Sequence, residues 1–479
     1  MFDGSVRAKR DNESRLKASG QGRTANDESP MSYETAIASM YALGHELAQA
    51  PSHKFDLKYM RVLLAALGHP ERRFPSVLIA GTNGKGSTAA TLASILQASG
   101  VKTGLYTSPH LVRINERVRI CGYAMSDDEF ALLHDVVDRT AERLVEEGEL
   151  PWHPSFFEML TAIAFEHFAR SRIEMAVLEV GMGGRLDATN VAEPCVAVLT
   201  DISLDHQKFL GNTLAEIVRE KAGIIRPDGV VVTLPQTPQA NEVIGNTILE
   251  LGAKGVSATQ YVPPVSPGST EYLVPSTESR PLQRYPLQVM EREILVETSL
   301  FGRHQLRNMA LAVAAAVELG QQGFAITAES IERGIRAARW PGRFQIHRPS
   351  GTAPTYIFDV AHNPAGAWAL RSTLSAFCEG RRLFVVFGVL RDKAIGEMTE
   401  ILFPLAERVV VTHADNPRSA TPEEIRQAAA RASTEIDEAP DVALSLRRAA
   451  ELAEPEDVIL VTGSIYLVGE AMRILGAEV

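Results

Sequence analysis

A glycine-rich segment that carries one lysine is the part of the sequence best suited to chemistry. The apolar run SVLIA (76–80) has the pattern of a buried strand, GTNGKGST (81–88) follows it, and a helical stretch begins directly afterwards. Glycines let the backbone fold tightly around an anion, so that successive N–H groups and a helix N-terminus face phosphate oxygens. Lys85 can neutralise the β- and γ-phosphates. The segment predicts a nucleoside triphosphate site, and the alternative is a glycine-rich turn that serves only the fold.

Two departures from the general phosphate-loop pattern point to a particular family. Ile79 stands where the first glycine belongs, and Gly86 separates Lys85 from the following hydroxyl residue. In this form GTNGKGS resembles the nucleotide loop of the Mur ligase superfamily, and its GKGS ending resembles the folate branch, the dihydrofolate synthase and folylpolyglutamate synthase family. The resemblance implies an ATP-binding loop with Lys85 as a catalytic group. The implied ATP contacts are Thr82, Asn83, Gly84, Lys85, Gly86 and Ser87.

A glutamate at the end of a buried strand is the second chemical feature. Glu179 closes the apolar run MAVLEV (175–180), where an unpaired carboxylate is costly, so a metal or cation partner is expected. The stretch EVGMGGRLDATN (179–190) is similar to the family signature. That signature implies that Glu179 bridges magnesium ions and that Leu186, Asp187 and Ala188 border a pterin site.

Three further segments offer candidate metal ligands: Ser108 in TSPHL, His206 in TDISLDH and Lys221 in EKAGII. From residue type alone, Ser108 is equally well a turn residue before proline, His206 a surface or core histidine, and Lys221 a phosphate-facing or helix-surface cation. The family resemblance implies that all three bind magnesium, two ions in total, with Lys221 first carboxylated by carbon dioxide. We expect the four ligands to lie at the ends of strands beside the phosphate loop.

The second half of the nucleotide site is expected in three motifs. Asn308 lies in FGRHQLRN at a predicted helix start, Arg343 ends WPGR, and Asp359 opens DVAHNP. The alternatives are a capped helix with a solvated polar face for Asn308 and an ordinary surface arginine for Arg343. The resemblance implies that Asn308 contacts adenine and that Asp359 contacts ATP. Arg343, at the hinge between the two domains, is expected to reach the phosphates.

Candidate substrate residues follow from the same resemblance. His362 is implied as a catalytic contributor to the glutamate site, and Ser464 in GSIYLVG is a further candidate there. Ser155, Phe156 and Phe157 in SFFEML are implied contacts of the pterin ring. The alternative for the two phenylalanines is ordinary core packing.

The elements that must position these residues alternate between short apolar runs and amphipathic helices, the pattern of a parallel α/β sheet. The predicted fold is a P-loop-containing, Mur-ligase-type ATPase domain with a parallel sheet, plus a smaller Rossmann-like α/β domain with strands in TYIFDV, LFVVFGV, ERVVVTH and DVILVTG. Pro and Gly in WPG interrupt the chain between them. We expect a disordered extension over 1–30, an ATP-binding domain over 31–340 and a glutamate-ligase domain over 341–479. The Pro- and Ser-rich stretch 262–283 is expected to be an exposed loop insertion.

The composition of the chain indicates which kinds of binding partner and which cellular compartment to expect. The 479 residues carry a formal net charge of −11, which argues against a broad nucleic-acid-binding surface. No run is long and apolar enough for a membrane helix, and three cysteines match neither a disulfide framework nor a zinc site. We expect a cytoplasmic enzyme without nucleic-acid or membrane partners, and a monomer.

The resemblance implies a carbon–nitrogen ligase that uses ATP and magnesium. ATP would phosphorylate a carboxylate of dihydropteroate or of a reduced folate, and the amine of L-glutamate would displace the phosphate to form an amide. Alternatives are a folylpolyglutamate synthase without dihydrofolate synthase activity, and a nucleotide-binding regulator that has lost ligation. A peptidoglycan-precursor ligase is disfavoured by the GKGS and TSPHL forms, and a dinucleotide dehydrogenase by the lack of G-x-G-x-x-G after the first strand of either domain.

Overall fold

A large sheet forms the first part of the chain. The computed structural model describes residues 31–44, 56–264, 273–274, 282–349 and 353–479. The sheet has eight strands in the order β4-β3-β2-β5-β1-β6-β7-β8, of which β3 and β4 run antiparallel and the others parallel. Its strands are β1 (Ser76–Ala80), β2 (Thr103–Tyr106), β3 (Val118–Ile120), β4 (Tyr123–Ala124), β5 (Met175–Glu179), β6 (Pro194–Leu199), β7 (Val230–Thr233) and β8 (Lys254–Ser257).

Helices cover both faces of this sheet, which is why its central strands are continuous apolar runs. Every residue of β1 and of β5 is buried. The helices up to this point are α1 (Tyr33–Ala42), α2 (Leu57–Ala66), α3 (Lys85–Ala98), α4 (Asp127–Glu146), α5 (Phe156–Arg170), α6 (Gln207–Leu210), α7 (Leu214–Ala222) and α8 (Pro238–Leu251). Capping boxes at Ser126, Ser155 and Thr213 fix where α4, α5 and α7 begin.

A small antiparallel sheet follows, in the order β11-β10-β9. Its strands are β9 (Leu273–Val274), β10 (Leu282–Val289) and β11 (Arg292–Thr298), and the helices after it are α9 (Arg303–Gln321) and α10 (Ala328–Ala337). Both α9 and α10 pack against α3 of the first sheet. The predicted extension 1–30 and most of the predicted loop insertion 262–283 lie outside the described residues. Within that insertion, β9 pairs with the start of β10, so the expectation of a loop throughout is wrong there.

A second sheet of six strands forms the C-terminal part, in the order β12-β13-β17-β14-β15-β16. Only β12 of these runs antiparallel to its neighbour. The strands are β12 (Gln345–His347), β13 (Thr355–Asp359), β14 (Leu383–Phe387), β15 (Arg408–Val411), β16 (Glu435–Glu438) and β17 (Val458–Thr462). The helices are α11 (Pro364–Phe377), α12 (Ile395–Leu402), α13 (Pro422–Ala428), α14 (Val442–Leu452) and α15 (Ile465–Leu475). Separate hydrophobic clusters line the two faces of each large sheet.

The two large sheets belong to two α/β units that meet closely. Trp340 lies between α10 of the first unit and β12 of the second. Gly469 of α15 approaches the loop after β2 so closely that a Cβ there would lie 1.9 Å from the carbonyl oxygen of Leu111. Among the described residues, no helix combines the length and apolar character needed to cross a membrane. The predicted fold class, a larger parallel-sheet ATPase unit with a smaller α/β unit after it, is confirmed.

Candidate active site

A cavity of about 1040 Å³ lies between the two units. Its walls come from the carboxyl ends of strands of both large sheets, the place where open α/β sheets bind ligands. Loops after β1, β2, β5 and β6 supply one side, and the ends of β13, β14 and β17 supply the other. All the predicted site residues line this cavity.

The phosphate loop begins α3 and is tied to the strand end beside it. Gly84 has φ +89° and immediately precedes α3, a conformation that suits glycine. A Cβ at Gly84 would also lie 2.1 Å from Oδ1 of Asn308. The backbone N–H groups of Thr82 and Asn83 both donate to the carbonyl of Asp201, at 2.9 and 3.1 Å. The loop is thereby held open towards the cavity, with the N-terminus of α3 facing it.

Two lysine ammonium groups share one carbonyl of this loop. Lys221 Nζ donates to the Gly81 oxygen at 2.7 Å, and Lys85 Nζ donates to the same oxygen at 3.2 Å. Burial, with the charge of Lys85 next in importance, lowers the pKa of Lys221 to about 7. Lys221 projects from the last turn of α7, and its hydrogen bond to Gly81 brings its ammonium group to the carboxyl end of β1. A lysine with that pKa is neutral about half of the time at neutral pH.

Glu179 closes β5 and is buried, with 5% of its surface exposed. Its Oε2 accepts a hydrogen bond from the backbone N–H of Ser108 at 3.2 Å. Burial raises the pKa of this carboxyl group, and the charge of Lys85 and the Ser108 amide oppose that shift. A buried carboxylate with a single hydrogen-bond donor and a lysine nearby is suited to receiving a further cation.

His206 reaches the cavity differently from the prediction. It stands seven residues beyond the end of β6, at φ +50°, immediately before the short helix α6. The expectation that it ends a strand is wrong, because the irregular segment 200–205 lies between the end of β6 and His206. Burial lowers the pKa of His206 to about 4, and Lys393, Lys85 and Lys221 add to the shift against the opposing charge of Asp205. Its imidazole is therefore neutral at physiological pH, and one ring nitrogen has a lone pair that can bind a metal ion.

The four predicted metal ligands thus face one cavity. Among the described residues, no group of three or more histidine, cysteine, aspartate or glutamate side chains is arranged to hold a metal ion. Of the predicted set, Glu179 and His206 belong to these residue types, whereas Ser108 and Lys221 do not. Unmodified Lys221 cannot ligate a metal while it is protonated. A complete ligand set therefore depends on the chemical state of Lys221.

The predicted nucleotide residues surround the phosphate loop from the α9 side and from the second unit. Asn308 lies in the second turn of α9, is buried, and donates to Oε1 of Gln305 at 3.0 Å. Asp359 is buried and accepts from the backbone N–H groups of Phe344 and Ala361, each at 2.9 Å. These bonds tie the segment containing Arg343 to the end of β13, and the partly buried Arg343 faces both Asp359 and Glu179.

The predicted glutamate-site residues lie on the second unit. His362 follows β13, and its Nδ1 lies 3.0 Å from the carbonyl of Val360. Burial lowers the pKa of His362 to about 4, with the charge of Lys393 as the next cause. Ser464 caps α15 by accepting from the backbone N–H of Leu467 at 3.1 Å. The hydroxyl oxygen of Ser464 therefore already accepts one hydrogen bond within the protein.

The predicted pterin-side residues line the same cavity. Ser155 caps α5 and donates to Glu158 at 2.7 Å, while Phe156 is 3% exposed and Phe157 is partly buried. Asp187 is buried and accepts from the backbone N–H of Met182 at 2.9 Å and from Thr189. Leu186 and Ala188 flank it on the cavity wall.

Several lining residues were not assigned roles from the sequence. Lys393 Nζ lies 3.1 Å from Oδ1 of Asp205, which joins the second unit to the first. Asn363 Nδ2 donates to Oδ1 of Asn83 in the phosphate loop at 2.9 Å. Partners so far apart in the chain carry no local sequence signal.

An aromatic pair, Tyr59 and Trp152, also lines the cavity. Their ring centroids are 5.3 Å apart at an interplanar angle of 63°. Tyr59 belongs to α2 and Trp152 to the segment before α5. A lone tryptophan or tyrosine in the sequence gave no sign of this pairing.

Comparison with known proteins agrees with the site. A family model described as Mur ligase middle domain matches residues 157–316, and one described as Mur ligase, glutamate ligase domain matches residues 342–465. The dihydrofolate synthase/folylpolyglutamate synthase of Bacillus subtilis is 33% identical over 426 residues, covering 88% of this chain and 95% of that protein. The protein of the same name from Mycobacterium tuberculosis is 34% identical over 478 residues, covering 92% and 95%.

Solved structures show the same relationship. The M. tuberculosis folylpolyglutamate synthase complexed with ADP and AMPPCP matches with a TM-score of 0.81 and 34% identity, covering 92% of this chain and 99% of that one. Escherichia coli FolC in complex with DHPP and ADP matches with a TM-score of 0.76 and 30% identity, covering 94% and 98%. With both Mur ligase domains matched and relatives aligned over nearly their whole length, this chain belongs to the dihydrofolate synthase/folylpolyglutamate synthase family of Mur ligases.

Proposed function

We propose that this protein is an ATP-dependent carbon–nitrogen ligase that adds L-glutamate to dihydropteroate and to the γ-carboxylate of folylglutamates, releasing ADP and phosphate. The observation that carries the proposal is the convergence of Lys85, Glu179 and Lys221 with Ser108 and His206 on one cavity between the two units. The relatives named above support the choice of reaction and of substrates.

The reaction has to bring two anions together. A carboxylate oxygen of the folate-type substrate attacks the γ-phosphorus of ATP, the bond to the β-phosphate oxygen breaks, and ADP leaves with that electron pair. The ammonium group of glutamate first loses one proton to solvent, and the free amine attacks the acyl carbon. The tetrahedral adduct then loses a second proton from nitrogen and expels phosphate with the electron pair of the broken C–O bond, which leaves the amide. Lys85, at the start of α3, would lie beside the β- and γ-phosphates and offset the repulsion between the reactants.

Magnesium fits the chemistry of the residues that would hold it: Ser108, Glu179, His206 and a modified Lys221. Glu179 supplies a buried carboxylate with one backbone partner, and the imidazole of His206 is neutral. Bound magnesium would supply positive charge between the carboxylate and the γ-phosphate. Its presence in this chain is part of the proposal.

Carboxylation of Lys221 belongs to the same proposal. With a pKa of about 7, the side chain is a free amine for much of the time at neutral pH, and a free amine adds to carbon dioxide. The nitrogen forms a bond to the carbon and releases one proton, leaving an anionic carbamate. Carboxylation would replace the ammonium group of Lys221, beside Lys85, with a carbamate. The carbamate oxygens are the kind of ligand that a hard dication prefers.

The remaining predicted residues take the ends of the cavity. Thr82, Asn83, Gly84, Gly86, Ser87, Asn308, Arg343 and Asp359 would hold ATP. Ser155, Phe156, Phe157, Leu186, Asp187 and Ala188 would hold the pterin portion, and His362 and Ser464 the incoming glutamate. We assign residues 31–340 to an ATP-binding domain and 341–479 to a glutamate-ligase domain, because β12 joins the second sheet directly after Trp340.

One chain supplies both sides of the cavity, which supports a monomeric enzyme. The thiols of Cys121, Cys195 and Cys378 are unpaired, which supports a reducing compartment such as the cytoplasm. Sedimentation of the purified protein at micromolar concentration tests the first of these proposals, since a monomer and a dimer differ twofold in mass.

The decisive experiment measures ADP release by the purified protein with L-glutamate and, separately, dihydropteroate and a tetrahydrofolate monoglutamate. Release that requires both glutamate and a pteroate or folate supports the proposal. Activity on the reduced folate alone would identify a folylpolyglutamate synthase without the first activity. ATP binding without turnover on either substrate would identify a nucleotide-binding regulator and refute the ligase.

The Lys221→Ala variant tests the lysine assignment. We expect ligation to be lost, because the side chain that becomes the anionic ligand is removed. An Arg219→Ala variant, on the same helix α7 outside the cavity lining, is the matched control and should keep activity near that of the unmodified protein. Full turnover by Lys221→Ala would contradict the assigned role.

A further inference from the structure

The pterin end of the cavity has an aromatic wall made of Tyr59, Trp152, Phe156 and Phe157. Tyr59 is on α2, the two phenylalanines begin α5, and Trp152 lies in the connecting segment 151–155. Trp152 meets Tyr59 edge to face, with 40% of its surface still exposed. The shape of the wall therefore depends on how the segment 151–155 is held against the rest of the unit.

His153 fastens that segment to α4. Its Nε2 lies 3.0 Å from Oδ1 of Asp138, and its Nδ1 lies 3.0 Å from the carbonyl oxygen of Pro154. A carboxylate and a carbonyl oxygen can only accept hydrogen bonds, so each ring nitrogen must carry a proton to bond its partner. Only the imidazolium form satisfies both contacts, and the neutral form gives up one of them.

The charges around His153 favour the imidazolium. Burial alone would lower its pKa, but the hydrogen bonds to Asp138 and Pro154 and the charges of Asp138 and Glu142 outweigh burial and raise it above 6.5. The carboxylate of Asp138 also faces His134 on α4, and its pKa lies below 3.8 because these partners outweigh its burial. From α5, Glu158 is hydrogen-bonded to Ser155.

We propose that His153 is a positioning residue for the folate-type substrate: its imidazolium holds Trp152 and the start of α5 in place, and loss of its proton loosens the aromatic wall. The inference rests on the proposed function, because the wall is assigned to the pterin portion there. Lys85 and His362, which are assigned to ATP and glutamate, belong to other elements: the start of α3 and the loop after β13. The proton on His153 therefore governs the KM for the folate-type substrate alone.

The test measures the KM for dihydropteroate, ATP and glutamate between pH 6 and pH 9. In the unmodified protein the KM for dihydropteroate rises by about fivefold across this range, the effect of one lost hydrogen bond. In His153→Gln that KM is high at every pH and its pH dependence disappears, while kcat and the other two KM values stay unchanged. Arg143→Gln is the matched control, because it breaks the exposed Arg143–Glu147 pair on the same helix α4.

Asp138→Asn provides a second route to the same result. It keeps the shape of the tether but removes the carboxylate, so it should also flatten the pH dependence of the dihydropteroate KM. Thermal melting shows whether each variant folds. If one of the two variants does not fold, the pH profile of the other variant tests the proposal. An unchanged pH profile in a folded variant overturns the proposal, as does a parallel change in the KM for ATP.

A separate measurement distinguishes failure of this inference from failure of the proposed function. Calorimetry with dihydropteroate in the presence of ADP needs no turnover. One outcome is that no ligase activity is found, while the affinity for dihydropteroate falls as the pH rises in the unmodified protein and not in His153→Gln. The positioning role then stands and the reaction is refuted. If ligation proceeds and the affinities of the two proteins follow the same pH profile, the positioning role is refuted and the reaction stands.

Discussion

Replacing Lys393 by methionine should weaken the closed arrangement of the two units. The Lys393–Asp205 pair joins them across the cavity at 3.1 Å, and the side chains are only 10% and 13% exposed. Burial would raise the pKa of Asp205, but its basic neighbours, Lys393 among them, outweigh burial and lower that pKa, so the carboxylate is ionised at physiological pH. Methionine keeps the length of the side chain and removes its charge. Asp205 would then be left in the closed cavity without its lysine.

The size of the effect follows from the burial of the pair. Removing one member of a buried ion pair costs about 3 kcal/mol or more, because the remaining charge has lost its partner. If that cost falls on the closed state alone, kcat/KM for glutamate drops by about 100-fold, since each factor of ten corresponds to about 1.4 kcal/mol. Melting temperature should change little, because each unit retains its own core.

Two measurements check this expectation. Steady-state kinetics gives kcat/KM for glutamate, and small-angle X-ray scattering with AMPPCP gives the radius of gyration, which should increase when the units separate. Arg391→Gln is the matched control, because Arg391 lies on the same loop in an exposed pair with Glu424, 49% and 47% exposed. Such a pair contributes less than about 1 kcal/mol. Unchanged kinetics and scattering in Lys393→Met would refute the reasoning.

Two further predictions concern the nucleotide side of the cavity. Gly84→Ala should abolish ATP binding, measured by calorimetry, because a methyl group would lie 2.1 Å from Asn308 Oδ1 at a backbone angle of +89°. A measurable affinity near that of the unmodified protein would contradict this. Burial lowers the pKa of His304 to about 4, so below pH 6.5 the unfolded chain takes up a proton that the folded chain does not. Lowering the pH from 7 to 5 should therefore reduce the free energy of unfolding through this residue by up to about 2 kcal/mol. Urea titrations of His304→Gln at the two pH values should show a smaller loss, and an equal loss in both proteins would contradict the assignment.

The sequence predicted the buried strands and the class of fold because these depend on local apolar runs. It did not predict β3, β4 and β12, which pair antiparallel with their neighbours, because all three are short. Most of VRI and all of QIH are only partly buried, and YA is exposed. A strand of two or three residues is stabilised by its neighbour in the sheet and not by its own pattern. The edges of both sheets thus depend on tertiary pairing.

Local sequence patterns likewise predicted only part of the candidate site. The motifs indicated which residues would face the cavity, but they did not show that the segment 200–205 separates His206 from the end of β6. Lys221 reaches Gly81 from a helix 140 residues further along the chain, and the Lys393–Asp205 pair spans 188 residues. Contacts of this kind follow from the packing of complete sheets and helices, which local spacing does not encode.

The contact between Gly469 and Leu111 has a mechanical consequence. Because no side chain separates the backbone of α15 from the loop after β2, there is no soft layer between them to absorb a displacement. A small rotation of the C-terminal unit is passed directly to the loop that carries Ser108. Ser108 lies three residues before Leu111 in the chain, and its backbone N–H is hydrogen-bonded to Glu179. A movement of the C-terminal unit that admits one substrate would therefore also shift the side chains that bind the other substrate.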